Sequence, residues 1–105
     1  MGHKKLIRFN ALNSFCNILQ YPENIKGEWH FFLKNANPIV LELACGKGEY
    51  SVNLGRQNPD KNYIGVDIKG NRIYTGAKMA LEEGLDNVAF LRIQIGHITK
   101  YFSAA

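Results

Sequence analysis

Two acids and two glycines stand at a spacing that suits a bound nucleoside. Glu42 lies near the end of a short β-prone run, Ile39-Val-Leu-Glu-Leu43, and Asp67 ends a second run that begins at Tyr63. Between them, Gly46 and Gly48 make a turn with no side chains to keep a ligand away. A carboxylate beside such a turn suits a cationic group, such as the ammonium or sulfonium of S-adenosylmethionine, and is awkward beside the pyrophosphate of a dinucleotide. A dinucleotide fingerprint would also want a third glycine near position 51, where this chain has Ser51. Asp67, at a strand end, is placed to accept both hydroxyls of a ribose. Each acid alone reads as a solvated strand end. Together, framing this turn, they point to S-adenosylmethionine as the cofactor.

These residues need strands and helices to hold them. The runs 39–43, 63–67 and 88–93 are β-prone, and the stretches between them have helical spacing. Glu49 to Arg56 puts Tyr50 and Leu54 on one side of a helix. A second helix, with Asn71 as its cap, continues to Leu81 or Glu83, and Gly84 closes it. His97 to Phe102 starts another. Strands alternating with crossover helices predict an α/β fold: three parallel strands forming half of a doubly wound, Rossmann-like sheet. Ahead of it, Leu6, Phe9, Leu12, Phe15, Cys16 and Leu19 predict a helix from Lys5 to Leu19, ended by Tyr21-Pro22. Trp29, Phe32 and Leu33 share one face of a helical turn, as core residues. The division expected is an N-terminal helical segment, residues 1–36, and a partial cofactor-binding domain, residues 37–105.

The chain of 105 residues allows one small domain. Its formal net charge of +4 is compatible with nucleic acid without requiring it. Cys16 and Cys45 form neither a disulfide framework nor a metal pattern, no metal is expected, and no apolar run approaches a membrane span. A reduced, cytoplasmic chain is the simplest expectation.

The runs Glu42-Leu-Ala-Cys-Gly-Lys-Gly-Glu49, Tyr63-Ile-Gly-Val-Asp-Ile-Lys-Gly70 and Asn87-Val-Ala-Phe-Leu-Arg92 together resemble the tRNA (guanine-N7)-methyltransferases. The first run is shared by methyltransferases generally, whereas Val66-Asp-Ile-Lys-Gly70 is more specific to this family. The likeness covers roughly Pro38 to Phe102, and Gln20-Tyr21-Pro22 with Gly27-Glu-Trp29 extends it forward. It implies a class I methyltransferase half-domain, S-adenosylmethionine as donor and tRNA as partner. By position, Glu42 would contact the methionine part, with Ala44, Gly46 and Gly48 forming the turn. Asp67 would hold the ribose, Ile68 would pack near the adenine, and Gln94 would face the adenine amine. Lys69, Arg72 and Lys78 would neutralise RNA phosphates, if they are more than a solvated helix face.

Three departures from the family's pattern bear on function. Ala44 stands where a glycine is usual, and Gln94 where an acid is usual. The family's fourth strand and its Pro-Asp-Pro type loop, which carries the aspartate linked to catalysis and most of the tRNA-binding surface, have no counterpart before Ala105. No catalytic residue is therefore assigned, and this chain alone is expected to transfer no methyl group. The alternatives are a non-catalytic cofactor-binding or RNA-associated fragment, and a nicotinamide-dependent half-domain. Glu42 and the missing third glycine oppose the last. In the family's sheet the fourth strand lies beside residues 39–43, so their open edge predicts self-association unless the N-terminal segment covers it.

Overall fold

The computed structural model describes residues 14–103. Four strands form one parallel sheet: β1 (Ile18–Gln20), β2 (Ile39–Leu43), β3 (Asn62–Asp67) and β4 (Val88–Arg92), in the order β1-β4-β3-β2. Helix α1 (Trp29–Leu33) precedes β2, α2 (Glu49–Gln57) joins β2 to β3, and α3 (Gly70–Glu82) joins β3 to β4. A 3-10 turn, Ile95–Lys100, follows β4.

The sheet is covered on both faces, which is why β3 and β4 read as nearly unbroken apolar runs. Side chains alternate between faces. Val88 and Phe90 turn toward α2 and α3, where they pack with Val52, Ile73, Ala77 and Ala80. Ile64, Val66, Ala89 and Leu91 turn the other way, against Trp29 and Leu33 of α1. There Trp29 stacks on Phe102 with ring centres 4.8 Å apart, and its Nε1–H donates to the Tyr101 carbonyl at 2.8 Å. Core and binding rim are thus set by the same strands: the interior of β3 and β4 anchors the sheet, and their C-terminal ends carry the candidate site.

The α/β reading holds, with one strand more than the sequence predicts. Ile18 and Leu19, expected at the end of a helix from Lys5, are extended in β1 and pair with Phe90 and Leu91. Backbone satisfaction decides this. The Phe90 N–H donates to the Asn17 carbonyl at 2.8 Å, and the Tyr21 N–H donates to the Arg92 carbonyl at 3.0 Å, so β1 satisfies groups that β4 would otherwise leave open. Residues 5–13 of that expected helix, and residues 1–13 of the helical segment expected over 1–36, lie outside the described residues, and residues 14–17 form no α-helix. The third expected helix, from His97, is replaced by the 3-10 turn.

Asn71 does not cap α3. The position before the helix is Lys69, in extended geometry, and Asn71 lies inside the first turn. At the far end Gly84 takes a left-handed φ of 66°, and the Leu85 N–H donates to the Ala80 carbonyl at 2.9 Å, closing the helix as expected. Asn87 then ties α2 to the sheet: its side-chain amide donates to the carbonyls of Gly55, Asn58 and Lys61.

Candidate functional site

The site is the rim formed by the C-terminal ends of β2, β3 and β4. Parallel pairing sets Glu42 opposite Gly65, Leu43 opposite Val66, and Asp67 opposite Arg92, so the three ends finish nearly level. In open parallel sheets this end is where ligands bind.

From Leu43 the chain turns sharply. Ala44, Gly46 and Gly48 all take left-handed φ values, 56°, 59° and 77°. The Cys45 N–H still donates to the Val66 carbonyl at 3.0 Å, extending the ladder one residue past β2. The Gly48 N–H then donates back to Cys45 at 3.0 Å, and α2 begins. Two of these glycines answer different needs. A Cβ at Gly46 would meet no heavy atom within 4 Å, so that position faces open space. A Cβ at Gly48 would collide with the Phe90 ring, 2.7 Å from Cζ. Gly65 and Gly76 are confined by the same ring. Phe90 is therefore the post on which the turn, β3 and α3 converge, and only glycine fits between them.

Asp67 is buried and holds the turn. Its Oδ2 accepts from the Gly46 N–H and its Oδ1 from the Lys69 N–H, both at 2.9 Å. One carboxylate thus joins the β2 turn to the start of α3. Two acceptor sites remain on its oxygens, enough for a diol.

Glu42 is half-buried and accepts from the Ser51 hydroxyl through Oε1. Ser51 is fully buried in the first turn of α2. Sequence reasoning used Ser51 only as an absent glycine and missed its contact; nothing in the local pattern signals a bond from residue 51 to residue 42. Cys45 lies between the two acids. Burial pushes its thiol up to about 12, and the charges of Asp67 and Glu42 push in the same direction. It stays protonated at ordinary pH and is a small apolar filler, not a nucleophile.

Ile68 directly follows Asp67 and is 40% exposed. Gln94 is exposed two residues beyond β4, and the Ile93 N–H donates to the Asp67 carbonyl at 3.1 Å, which brings the two segments side by side. Lys69 and Arg72 are exposed at the start of α3. Lys78 is exposed farther along that helix, about 13 Å of helical rise from Lys69, with its ammonium 5.9 Å from the Tyr74 ring centre. The rim is open, not enclosed. A cavity of about 620 Å³ lies at the opposite end of β4, beside Asn17, Leu33, Leu85 and Val88, and includes none of the rim residues. Among the described residues, no helix is long and apolar enough to cross a membrane.

Residues 36–105 match the family model described as "Putative methyltransferase". A tRNA (guanine-N(7)-)-methyltransferase of Christiangramia forsetii is 56% identical over 98% of this chain and 50% of its own length. Proteins of the same name from Bacteroides fragilis and Streptococcus thermophilus are 51% and 39% identical, over 98% and 90% of this chain and 44% and 46% of their own. The chain spans about half the length of the curated relatives it matches.

Proposed function

The chain belongs to the "Putative methyltransferase" family, and from that premise we propose that it is the donor-binding portion of a tRNA (guanine-N7)-methyltransferase. The observation that carries this reading is the pair of acids at neighbouring strand ends, Glu42 and Asp67, bracketing a left-handed turn whose Gly46 faces open space. S-adenosylmethionine, when bound, supplies an electrophilic methyl group on a sulfonium.

The residues present fit that donor. Glu42, steadied by Ser51, offers a carboxylate to the ammonium of the methionine part. Asp67, already fixed by two backbone N–H groups, offers its remaining lone pairs to the ribose hydroxyls. Ile68 gives an apolar wall for the adenine, and the Gln94 amide oxygen can accept from the adenine amine without the charge assistance an acid would add. Ala44 and Gly48 shape the turn so that backbone can approach the ligand. Because methyl transfer depends on bringing donor and acceptor into line, the chief contribution of these residues is positioning.

The acceptor proposed is tRNA, following the relatives' names, with Lys69 and Arg72 nearest the rim and Lys78 farther out as phosphate contacts. Self-association through β2, an edge strand of the described sheet, is the second partner proposed.

Calorimetry with S-adenosylhomocysteine and, separately, NAD tests the donor reading. One saturable site for the homocysteine compound and none for NAD is the expected result. NAD binding without S-adenosylhomocysteine binding would overturn it, and would make the chain a nicotinamide half-domain.

A further inference from the structure

Resting on the donor-site reading above, we infer that Arg92, clamped by Gln20 and Tyr21, is a positioning residue for the adenosine end of the site. The consequence is that β1, which precedes the family-matched residues 36–105, takes part in donor binding.

The guanidinium is held from several sides. Its Nε–H donates to the Ile68 carbonyl at 3.1 Å, its Nη1–H donates to Gln20 Oε1 at 2.9 Å, and its Cζ sits 5.5 Å from the centre of the Tyr21 ring. A planar fork of donors with an aromatic face beside it is an arrangement arginine makes and lysine does not.

Tyr21 is held in an uncommon state to do this. Its φ is 47°, left-handed for a bulky residue that also precedes a proline. The side chain is 50% exposed, so core packing does not account for the geometry. What holds it is its own N–H on the Arg92 carbonyl at 3.0 Å and its ring beside the guanidinium. Strain kept at an exposed aromatic, next to a candidate site, points to a positioning task.

The target of the clamp is the Asp67–Lys69 turn. Asp67 engages its neighbours through its carbonyl, which accepts from Ile93, and through both carboxylate oxygens. The Ile68 carbonyl lies between the residue proposed for the ribose and the start of α3, and Arg92 bonds it from the neighbouring strand end. The N–H of that same Ile68–Lys69 peptide donates to Asp67 Oδ1, so without the Arg92 bond the peptide can tilt. The Asp67 carboxylate, still held through Oδ2 by the Gly46 N–H, and the Ile68 side chain then lose part of their fixed orientation together. Arg92 acts through these two residues.

Calorimetry with S-adenosylhomocysteine on the whole 105-residue chain, with amide NMR, tests this. Arg92→Ala should weaken binding about tenfold, the worth of one charged hydrogen bond. Arg92→Lys should not restore it. In the ligand-free protein, Arg92→Ala should shift the Gly46 and Lys69 amide resonances, both of which report on the Asp67 carboxylate, and leave Gly84 unmoved. Combined with Asp67→Ala, it should add little, since both act on one contact. Gln20→Ala, which removes a partner of the clamp at the sheet edge, should weaken binding in the same direction and serves if Arg92→Ala does not fold. Wild-type affinity in folded Arg92→Ala or Gln20→Ala, with Asp67→Ala impaired, would overturn this inference alone. No binding by the wild-type chain would overturn the donor reading and this inference with it.

Discussion

The Asp67 carboxylate accepts from the Gly46 amide at 2.9 Å, so the residue proposed to hold the ribose also holds the glycine turn. Removing it costs twice. Asp67→Ala should weaken S-adenosylhomocysteine binding by about 1–3 kcal/mol through the lost charged hydrogen bonds. It should also lower the melting temperature, because two backbone N–H groups lose their partner. Asp67→Asn keeps one oxygen acceptor and should fall between. Calorimetry and thermal melting of the three proteins check this; an Asp67→Ala protein with unchanged affinity would remove ribose recognition from Asp67.

Ser51 has the opposite profile, a small buried group serving one carboxylate. Ser51→Ala deletes the hydroxyl that donates to Glu42 and little else. Affinity for S-adenosylhomocysteine should drop by about 1 kcal/mol, the usual net worth of such a bond or slightly above it. A loss of the same size in a Glu42→Gln background would show that Ser51 does not act through Glu42.

Glycine and alanine in the turn should respond in opposite senses. Gly48→Ala drives a methyl group into the Phe90 ring at a φ of 77°, and should cost about 2–4 kcal/mol of stability from overpacking and left-handed strain. Ala44, exposed at a φ of 56°, carries strain that glycine would not. Ala44→Gly should therefore stabilise the fold by about 0.5–1 kcal/mol after the entropy of the added glycine is counted. Urea melts of both variants decide it, and an Ala44→Gly protein less stable than the parent contradicts the strain assignment.

Cys45 and Cys16 should differ in reactivity. Cys16 is exposed, whereas Cys45 is buried with its thiol pushed up to about 12. At pH 8, iodoacetamide should label Cys16 and spare Cys45 until denaturant is added, as mass spectrometry would show. The fold favours the protonated thiol. Cys45 therefore contributes stability fully below its unfolded pKa near 9, and that contribution is lost as pH rises toward 12. Relative to Cys45→Ala, the parent should lose stability across that window.

Among the described residues no strand pairs with the outer side of β2, and self-association through it has a consequence in solution. Val40 and Leu43 are 39% and 50% exposed, and Glu42 is the strand's single charge. Light scattering should rise with concentration for the parent chain and less for Val40→Lys, which places a charge on the edge. A parent that stays monomeric at high concentration, with the β2 amides protected from exchange, would mean that this edge is already covered.

The placement of the rim residues was legible in the sequence because it depends on local order. A strand, a glycine turn, a helix and a second strand ending in an acid form a contiguous pattern, and parallel pairing brings Glu42 and Asp67 to the same C-terminal end of the sheet. The same holds for α2, for the glycine end of α3, and for the buried face of Trp29 and Leu33 in α1. Tertiary structure decided what depended on partners distant along the chain. Ile18–Gln20 became a strand because β4 had open backbone groups to satisfy, and no feature within residues 14–20 announces that. Asn71 lost its capping role because Asp67, pinned by Gly46, made the turn two residues earlier. Ser51 meets Glu42 only once the glycine turn folds α2 back beside β2, and Arg92 meets Gln20 only once β1 and β4 pair. Residue type and periodicity carry information about neighbours on one element. Hydrogen bonds between elements depend on register, which the packing around Phe90 settles.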